Sequence, residues 1–206
     1  MIYNPASGRK VDHKSTIHNC LFSFGIEYEI YETKGNLDCM NKIMNLDIDN
    51  YSAIVPVGGD GTFHEAINGL MRRKDGKKIP MGFLPNGSGD DLAGGLDMPI
   101  GDVNMGLEYI GKGDVIKLDV IKILIDHESE QELDDKIASN PSLKKEDYLR
   151  YSMINCSLCI SANCARNAAP MKPYIGHHAY TIQTAIEIIK KREEKFNIFV
   201  DKESLA

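Results

Sequence analysis

Val57-Gly58-Gly59-Asp60-Gly61-Thr62-Phe63-His64-Glu65 carries an apolar strand, Ser52 to Val57, into a glycine turn and starts a helix at once. Glycines permit positive φ and close approach of a ligand to the backbone. The amides that open a helix have no partner within it and point at any anion placed there. The stretch therefore reads as a phosphate-binding turn with a carboxylate beside it. Asp60 is placed to bind Mg²⁺ or to accept a proton from an attacking hydroxyl. A plainer reading has Thr62 as N-cap and Glu65 closing a capping box. That cap leaves three glycines around one aspartate unexplained, and the two readings can coexist.

Leu84-Pro85-Asn86-Gly87-Ser88-Gly89-Asp90-Asp91-Leu92-Ala93 repeats the logic of strand end, glycine turn, hydroxyl and helix start. Its plain alternative is that Ser88 and Asp90 cap a helix. Two such turns on separate parallel strands open at the same carboxyl edge of a sheet. Neither turn fits GxxxxGK[ST] or GxGxxG, so a Walker loop or dinucleotide fold is not supported.

Around these turns the first 125 residues alternate strand-like and helix-like segments. Ile2 to Asn4, Ile26 to Tyr31, Ser52 to Val57 and Pro80 to Leu84 read as strands. Val11 to Phe24, Leu37 to Leu46 and Phe63 to Arg73 read as helices, with Asn68 and Gly69 weakening the last. Repeated βα units of this kind imply a parallel sheet covered by helices. From Val115 the pattern changes. Val115 to Ile125 and Tyr148 to Ile160 are long strand-like runs. Ile175, Ala179, Ile182, Ile186 and Ile189 mark one face of a helix over Tyr174 to Glu193, and Phe196 to Val200 reads as a strand. The expected fold class is α/β: an N-terminal parallel-sheet nucleotide-binding lobe over 1–114, then a partial antiparallel β-rich lobe over 115–206.

The 206 residues are 42% hydrophobic and 26% charged, enough apolar material for a core. No run approaches the ~20 apolar residues that span a bilayer. Met1 leads straight into Ile-Tyr-Asn-Pro without a secretory pattern, which with five cysteines points to reduced thiols in a cytoplasmic or organellar compartment. A net charge of −6 argues against a nucleic-acid coat. Between Asp126 and Asp147 stand eight acids and three lysines, which read as a surface loop. Cys156 and Cys159 have CxxC spacing but no second pair to complete a zinc site. Arg72, Arg73, Lys74, Lys77 and Lys78 read either as a patch for an anionic membrane or, better, as charge at a helix end. The adjacent His177 and His178 face different directions and make no metal site, and Lys190 to Lys195 is a run of mixed sign.

Three motifs in order make the chain recognisable: Asn4-Pro5-Ala6-Ser7-Gly8, then Gly58-Gly59-Asp60-Gly61-Thr62 with Glu65-Ala66-Ile67-Asn68-Gly69, then Pro85 to Ala93. Together they resemble the diacylglycerol kinase catalytic domain family, which includes diacylglycerol, sphingosine and ceramide kinases. The resemblance implies a two-lobed, ATP- and Mg²⁺-dependent kinase that phosphorylates a lipid hydroxyl, with diacylglycerol favoured over a sphingoid base. By this similarity Gly58, Gly59, Asp60, Gly61, Thr62, Phe63 and His64 wrap the ATP phosphates, and Glu65 orients the loop or the nucleotide. Thr33 and Ser88 contact the nucleotide, Gly87, Gly89 and Asp90 belong to the second turn, and Asn4 and Ser7 support the turns. Asp60 matches the aspartate treated as catalytic in sphingosine kinase-like members and is the candidate Mg²⁺ ligand. Asp91 and Asp119 are the candidates facing the lipid. The lipid is then met at a membrane surface by peripheral association.

Some positions depart from the family pattern. Asp90-Asp91 stands where Asn-Asp is usual, and a second carboxylate repels phosphate unless Mg²⁺ lies between. The Thr33 segment matches loosely, and Cys159 and Asn163 replace a common glycine and aspartate. Family catalytic domains run to roughly 300 residues, and their late Asp-Gly-Glu segment and metal-binding acids have no counterpart in this sequence. These departures motivate an alternative: a catalytically inactive, lipid-kinase-like domain serving as a structural or regulatory subunit. A protein partner or a second copy would then cover the incomplete β lobe.

Overall fold

In the computed structural model, residues 1–8, 11–157, 160–176, 178–190, 198–200 and 203–205 are described. Cys159, His177 and most of the run Lys190 to Lys195 lie outside them. The chain forms two compact units, Met1–Cys156 and Ser157–Ala206.

The first unit is built on a four-stranded parallel sheet in the order β2-β1-β3-β4: β1 Ile2–Tyr3, β2 Tyr31–Glu32, β3 Pro56–Gly58 and β4 Leu84–Pro85. Ile2 stands opposite both Tyr31 and Pro56, and Val57 opposite Leu84. An isolated bridge between Ile54 and Met81 extends the pairing below β3 and β4. The strands are shorter than the apolar runs that announced them, because the ladder holds only around their carboxyl ends.

Helices cover both faces. Ile2 and Ile54 pack with Ile43 of α2 (Asp38–Asn45) and with Ala66 and Leu70 of α3 (Asp60–Met71). Tyr3, Val55, Val57 and Leu84 pack on the other face with Ile17 and Leu21 of α1 (Lys14–Ser23) and, beyond α4 (Asp91–Gly95), with Leu107 of α5 (Val103–Lys112). Successive strand residues point to opposite faces, so the continuous apolar run Ile54-Val55 through Val57 feeds both layers. Helices α2 and α3 approach closely at Gly69, where a Cβ would lie 2.7 Å from the Met40 carbonyl oxygen. The glycine that weakened the predicted helix is what lets it pack.

Of the basic cluster after α3, Arg73 is drawn inside the molecule while Lys74, Lys77 and Lys78 stay exposed. Arg73 is buried, donates to the carbonyls of Ile43 (2.6 Å) and Leu46 (2.7 Å), and pairs with Asp75. It thereby caps the carbonyl end of α2. Lys78 donates to the Leu70 carbonyl at 2.9 Å, and Lys77 pairs with Asp49. Arg73 and Lys78 thus serve helix carbonyls, those of α2 and α3.

The antiparallel part of this unit is β5 (Ile121–Leu124) paired with β6 (Leu149–Ser152), Ile121 opposite Ser152. The acidic stretch 126–147 is not the expected loop. It contains α6 (Glu130–Ser139) and the single turn α7 (Lys145–Tyr148). Ser129 caps α6 by accepting the Glu132 amide at 3.2 Å, and the acids in the first turn favour the helix dipole. Leu133 is fully buried against Leu149 and Tyr151, with Ile137 one turn on. Lys145 bridges Glu130 (2.9 Å) and Asp134 (2.6 Å). A cap at Ser129, two apolar side chains at Leu133 and Ile137, and Lys145 hold together a segment whose overall charge suggested solvent.

The second unit holds α8 (Ile160–Ala168), α9 (Lys172–Ile175), α10 (His178–Lys190) and an antiparallel pair, β7 (Ile198–Val200) with β8 (Glu203–Leu205). The predicted strand Tyr148 to Ile160 thus stops at Ser152, and a helix begins at Ile160. Helix Tyr174 to Glu193 is broken at Gly176, whose φ is +57°. Ala179 is buried, but Ile182 and Ile189 are exposed and Glu187 is buried instead, paired with Lys190 and bonded by Asn167. No described helix is long and apolar enough to cross a membrane. Replacing Gly69 by Ala is expected to lower stability by about 1–3 kcal/mol by forcing α2 and α3 apart, measured as a lower urea midpoint with an unchanged slope.

Candidate functional site

The strand order reverses between β1 and β3, and ligands of open α/β sheets bind outside the carboxyl ends of strands at such a point. All three glycine-bearing motifs leave the sheet at that edge: Asn4 to Gly8 after β1, Gly58 to Thr62 after β3, and Asn86 to Asp90 after β4. Thr33 leaves β2 at the same edge, its amide donating to the Tyr3 carbonyl at 2.8 Å.

The turns are bonded to one another. Asn4 donates from Nδ2 to Thr62 Oγ1 at 2.8 Å, while its Oδ1 accepts the Ala6 amide at 3.0 Å. Asn86 donates from its backbone to the Gly58 carbonyl (2.7 Å) and from Nδ2 to Ser7 Oγ (3.1 Å). Ser7, Thr62 and Asn86 are all buried. Gly59 and Gly87 touch backbone to backbone. A Cβ on Gly87 would lie 2.5 Å from Gly59 Cα, and one on Gly59 would lie 2.9 Å from Gly87 Cα. On Gly8 it would meet the Ser88 amide at 3.1 Å. Only glycine lets the two turns close to this distance.

Asp60 is not a free carboxylate in this arrangement. Its Oδ2 accepts the Asp91 amide at 3.2 Å and its Oδ1 the Leu92 amide at 3.3 Å, so it caps the start of α4 from the neighbouring turn. Asp90, fully buried, sits in the left-handed region (φ 58°, ψ 41°) and accepts the Gly87 amide at 2.9 Å. Asn and Asp tolerate that conformation better than other residues with a Cβ. Asp90 therefore holds the second turn shut. It occupies the position before α4, while the cap on α4 comes from Asp60.

Nor is Thr62 the N-cap of α3. Gly59 holds that position without a side-chain bond, and the Thr62 and Phe63 amides both turn back to the Gly59 carbonyl, at 2.9 and 3.1 Å. Glu65 closes no capping box. Its Oε1 accepts the Leu37 amide at 3.0 Å and so holds the segment that follows Thr33. The Phe63 ring is buried against Phe83, so only its backbone belongs to the turn. Gly61 faces open space, Ser88, Gly89 and Asp91 are exposed, and Gly89 lies over Asp60. His64 keeps an exposed edge, yet its crowded surroundings first, and then the Arg150 and Arg72 guanidiniums, hold its pKa below the usual histidine value. Asp119 is exposed on the approach to β5, and the adjoining Val120 packs against the cluster of Phe63 and Leu92.

Two residues that matter here were read from the sequence without the bonds they make. Asn86 lies inside the quoted motif, where Asn-Gly marks a turn but says nothing of a bond to Ser7. Asn68 is a short polar side chain in a helix interior, where such residues are unfavourable unless they bond elsewhere, and that was the available signal. Among the described residues no group of three histidines, cysteines or acids is arranged to hold a metal.

Cys39 lies directly beneath the turn. It is buried, its Sγ 3.6 Å from the Thr62 carbonyl oxygen, and burial above all, with Glu65 and Asp38 beside it, pushes its thiol up to about 12. A thiol reagent at pH 8 is expected to modify the exposed Cys156 while leaving Cys39 untouched until the chain is unfolded, as peptide mapping would show. Gly87→Ala is expected to cost about 1–3 kcal/mol or more, whereas Gly61→Ala should be neutral or raise stability by up to about 1 kcal/mol. Thermal melts of the two variants side by side check this.

Comparison with known proteins agrees with the motif order. Sphingosine kinase 1 of Arabidopsis thaliana is 36% identical over 104 residues, covering 48% of this chain and 21% of that one. The diacylglycerol kinase of Staphylococcus saprophyticus is 29% identical over 126 residues, covering 60% and 40%. A solved structure from Bacillus anthracis str. Sterne superposes with a TM-score of 0.52 at 24% identity, over 59% of this chain and 43% of that one, a likeness of fold. The chain thus spans less than half the length of these relatives. The model of the diacylglycerol kinase catalytic domain matches residues 1–123, more than half of the sequence, and the chain belongs to that family.

Proposed function

We propose that this chain carries the ATP-binding site of a lipid kinase, with diacylglycerol as the favoured substrate and a sphingoid base next. The observation that supports it most is the joining of three turns at the carboxyl edge of the sheet through Asn4–Thr62, Ser7–Asn86 and the contact of Gly59 with Gly87. Gly61 faces open space beside these joints, which suits close approach of phosphate oxygens to backbone. In this reading residues 1–114 hold the nucleotide and residues 115–206 serve the lipid. The lipid is met at a membrane surface.

Phosphoryl transfer depends on positioning and charge stabilisation more than on covalent chemistry. Mg²⁺ characteristically binds one or two carboxylates plus the substrate phosphates. Asp60, beside the open Gly61, is the residue that would orient it, and bound Mg²⁺ would neutralise charge on the transferred phosphoryl. Asp60 also remains the candidate acceptor of the lipid hydroxyl proton. Thr33 and Ser88 flank the same edge as nucleotide contacts, and Asp91 and Asp119 are the groups offered to the lipid head.

One observation favours the second reading, an inactive domain in a larger assembly. Both Asp60 oxygens are already engaged by the Asp91 and Leu92 amides. A structural carboxylate of that kind needs no catalytic role to explain it. The open outer edge of β5 would then be covered by a partner.

Calorimetry with MgATP and a lipid-dependent turnover assay separate the two. The kinase reading expects micromolar to millimolar MgATP affinity and turnover that falls at least about 100-fold in Asp60→Asn. Asp90→Asn keeps an acceptor for the Gly87 amide and removes a negative charge, and is expected to tighten MgATP binding a few-fold. A folded chain that binds no MgATP overturns the kinase reading. Binding without lipid turnover supports the inactive domain.

A further inference from the structure

Helix α3 carries the phosphate turn at one end, and toward its other end it takes the place of a β-strand. Asn68 is buried, 2% exposed, and its Oδ1 accepts the Tyr151 amide at 3.0 Å. Its Nδ2 donates to the Tyr151 carbonyl and to the His64 carbonyl, both at 2.8 Å. One turn later Arg72 donates to the Leu149 carbonyl. In an antiparallel pair, the N–H and C=O of one residue point to one edge and those of the next residue to the other. Tyr151 stands opposite Lys122 and Leu149 opposite Leu124, and both turn their polar groups away from β5 toward α3. Asn68 and Arg72 therefore satisfy an edge that would otherwise template another strand.

The spacing of these contacts fixes a register. Four helical residues rise about 6 Å, and two strand residues about 6.7 Å. The step from Asn68 to Arg72 thus matches the step from Tyr151 back to Leu149, with β6 running against α3. β6 ends at Ser152, whose hydroxyl donates to the Asn155 carbonyl at 2.9 Å and accepts the Ile154 amide at 3.3 Å, so the match holds over the strand itself. Ile121 opposite Ser152 is the last pair of the ribbon, and Val120 and Met153 leave it together toward the phosphate-turn end of α3. Core packing agrees: Met153, Ile154 and Val120 all lie against the cluster of Phe63, Ile67 and Leu92.

We propose that Asn68 is a positioning residue, fixing the β5–β6 ribbon on α3 in the register that seats Val120, and so the adjoining Asp119, beside Phe63 at the phosphate-turn end of the helix. Resting on the kinase reading, this makes Asn68 set the reach between the transferred phosphoryl and the group that meets the lipid head. Neither Asn68 nor Arg72 need touch nucleotide or lipid to do so.

The test uses the full chain with Gly61→Cys and Asp119→Cys, joined by a short bis-maleimide and located by peptide mapping, with and without Asn68→Ala. Asn68→Asp is the second variant, because it keeps the acceptor for the Tyr151 amide and loses both donor contacts. Arg72→Met is the milder one should the others fail to fold. Amide exchange at Tyr151 is expected to speed up about tenfold or more in Asn68→Ala, and the yield of the 61–119 cross-link to fall about fivefold or more as the register loosens. In chains without the added cysteines, MgATP affinity is expected to stay within about threefold while lipid turnover falls. A cross-link yield that does not change when Tyr151 exchange rises overturns the proposal, as does MgATP affinity that falls in step with turnover. A chain that binds no MgATP overturns the kinase reading alone, and the cross-link comparison still decides the register.

Discussion

Gly59 and Gly87 meet backbone to backbone at the carboxyl edge of the sheet, and most of the site follows from that contact. Two loops at this distance leave no room for a side chain between them, so every other stabilising group must reach in from the side. Asn4 and Ser7 do so from β1, Asn86 from β4, and Asp60 from the start of α3. Each of these bonds joins two different motifs, with none confined to one. Buried polar groups of this kind are costly singly and specific together, because each is satisfied only when its neighbour's turn is in place. The site is therefore preorganised as a unit, the condition under which backbone amides stabilise charge most effectively.

Asp60 and Asp90 show how far a motif can be read. The sequence marks both as carboxylates in phosphate turns, with Asp90 a departure that should repel anions. The structure gives each a backbone partner first: Asp60 the amides that begin α4, Asp90 the Gly87 amide. Asp90 is fully buried and in a left-handed conformation, so its cost or benefit is exerted through the shape of the turn before it reaches a ligand through charge. Asp60 lies closer to the open side and connects the two turns. A residue in that position transmits any change at one turn to the other.

The parallel sheet, the three turns and the helices between them were legible because each rests on local signals: strand-like runs of three to six residues, glycine at strand ends, and helical periodicity. Strand ends were legible only roughly, since ladder length depends on neighbours that the sequence places far away. The acidic segment was misread for a definite reason. Net charge says how a stretch meets solvent, but a helix needs only a cap at Ser129 and a stripe of Leu133 and Ile137. The predicted capping box failed similarly, because Thr62 and Glu65 found partners in other elements, Asn4 and Leu37. Long-range bonds of this type leave no spacing signature.

Asn68 and Gly69 bring the sheet, the site and the antiparallel ribbon into one frame. By helix propensity alone the pair is a defect, a polar residue and a flexible one in the last turns of α3. Gly69 lets α2 lie against α3, which closes one layer of the sheet, and Asn68 turns the neighbouring face into a substitute strand edge for β6. The helix thus sacrifices local stability for contacts on two sides. A helix that is tied at its first turn to the glycine loops and at its last turns to α2 and β6 cannot shift along its axis without breaking one of these sets. Whatever binds at the carboxyl edge therefore meets an α3 fixed at both ends, with its first amides held in place by packing well away from the ligand.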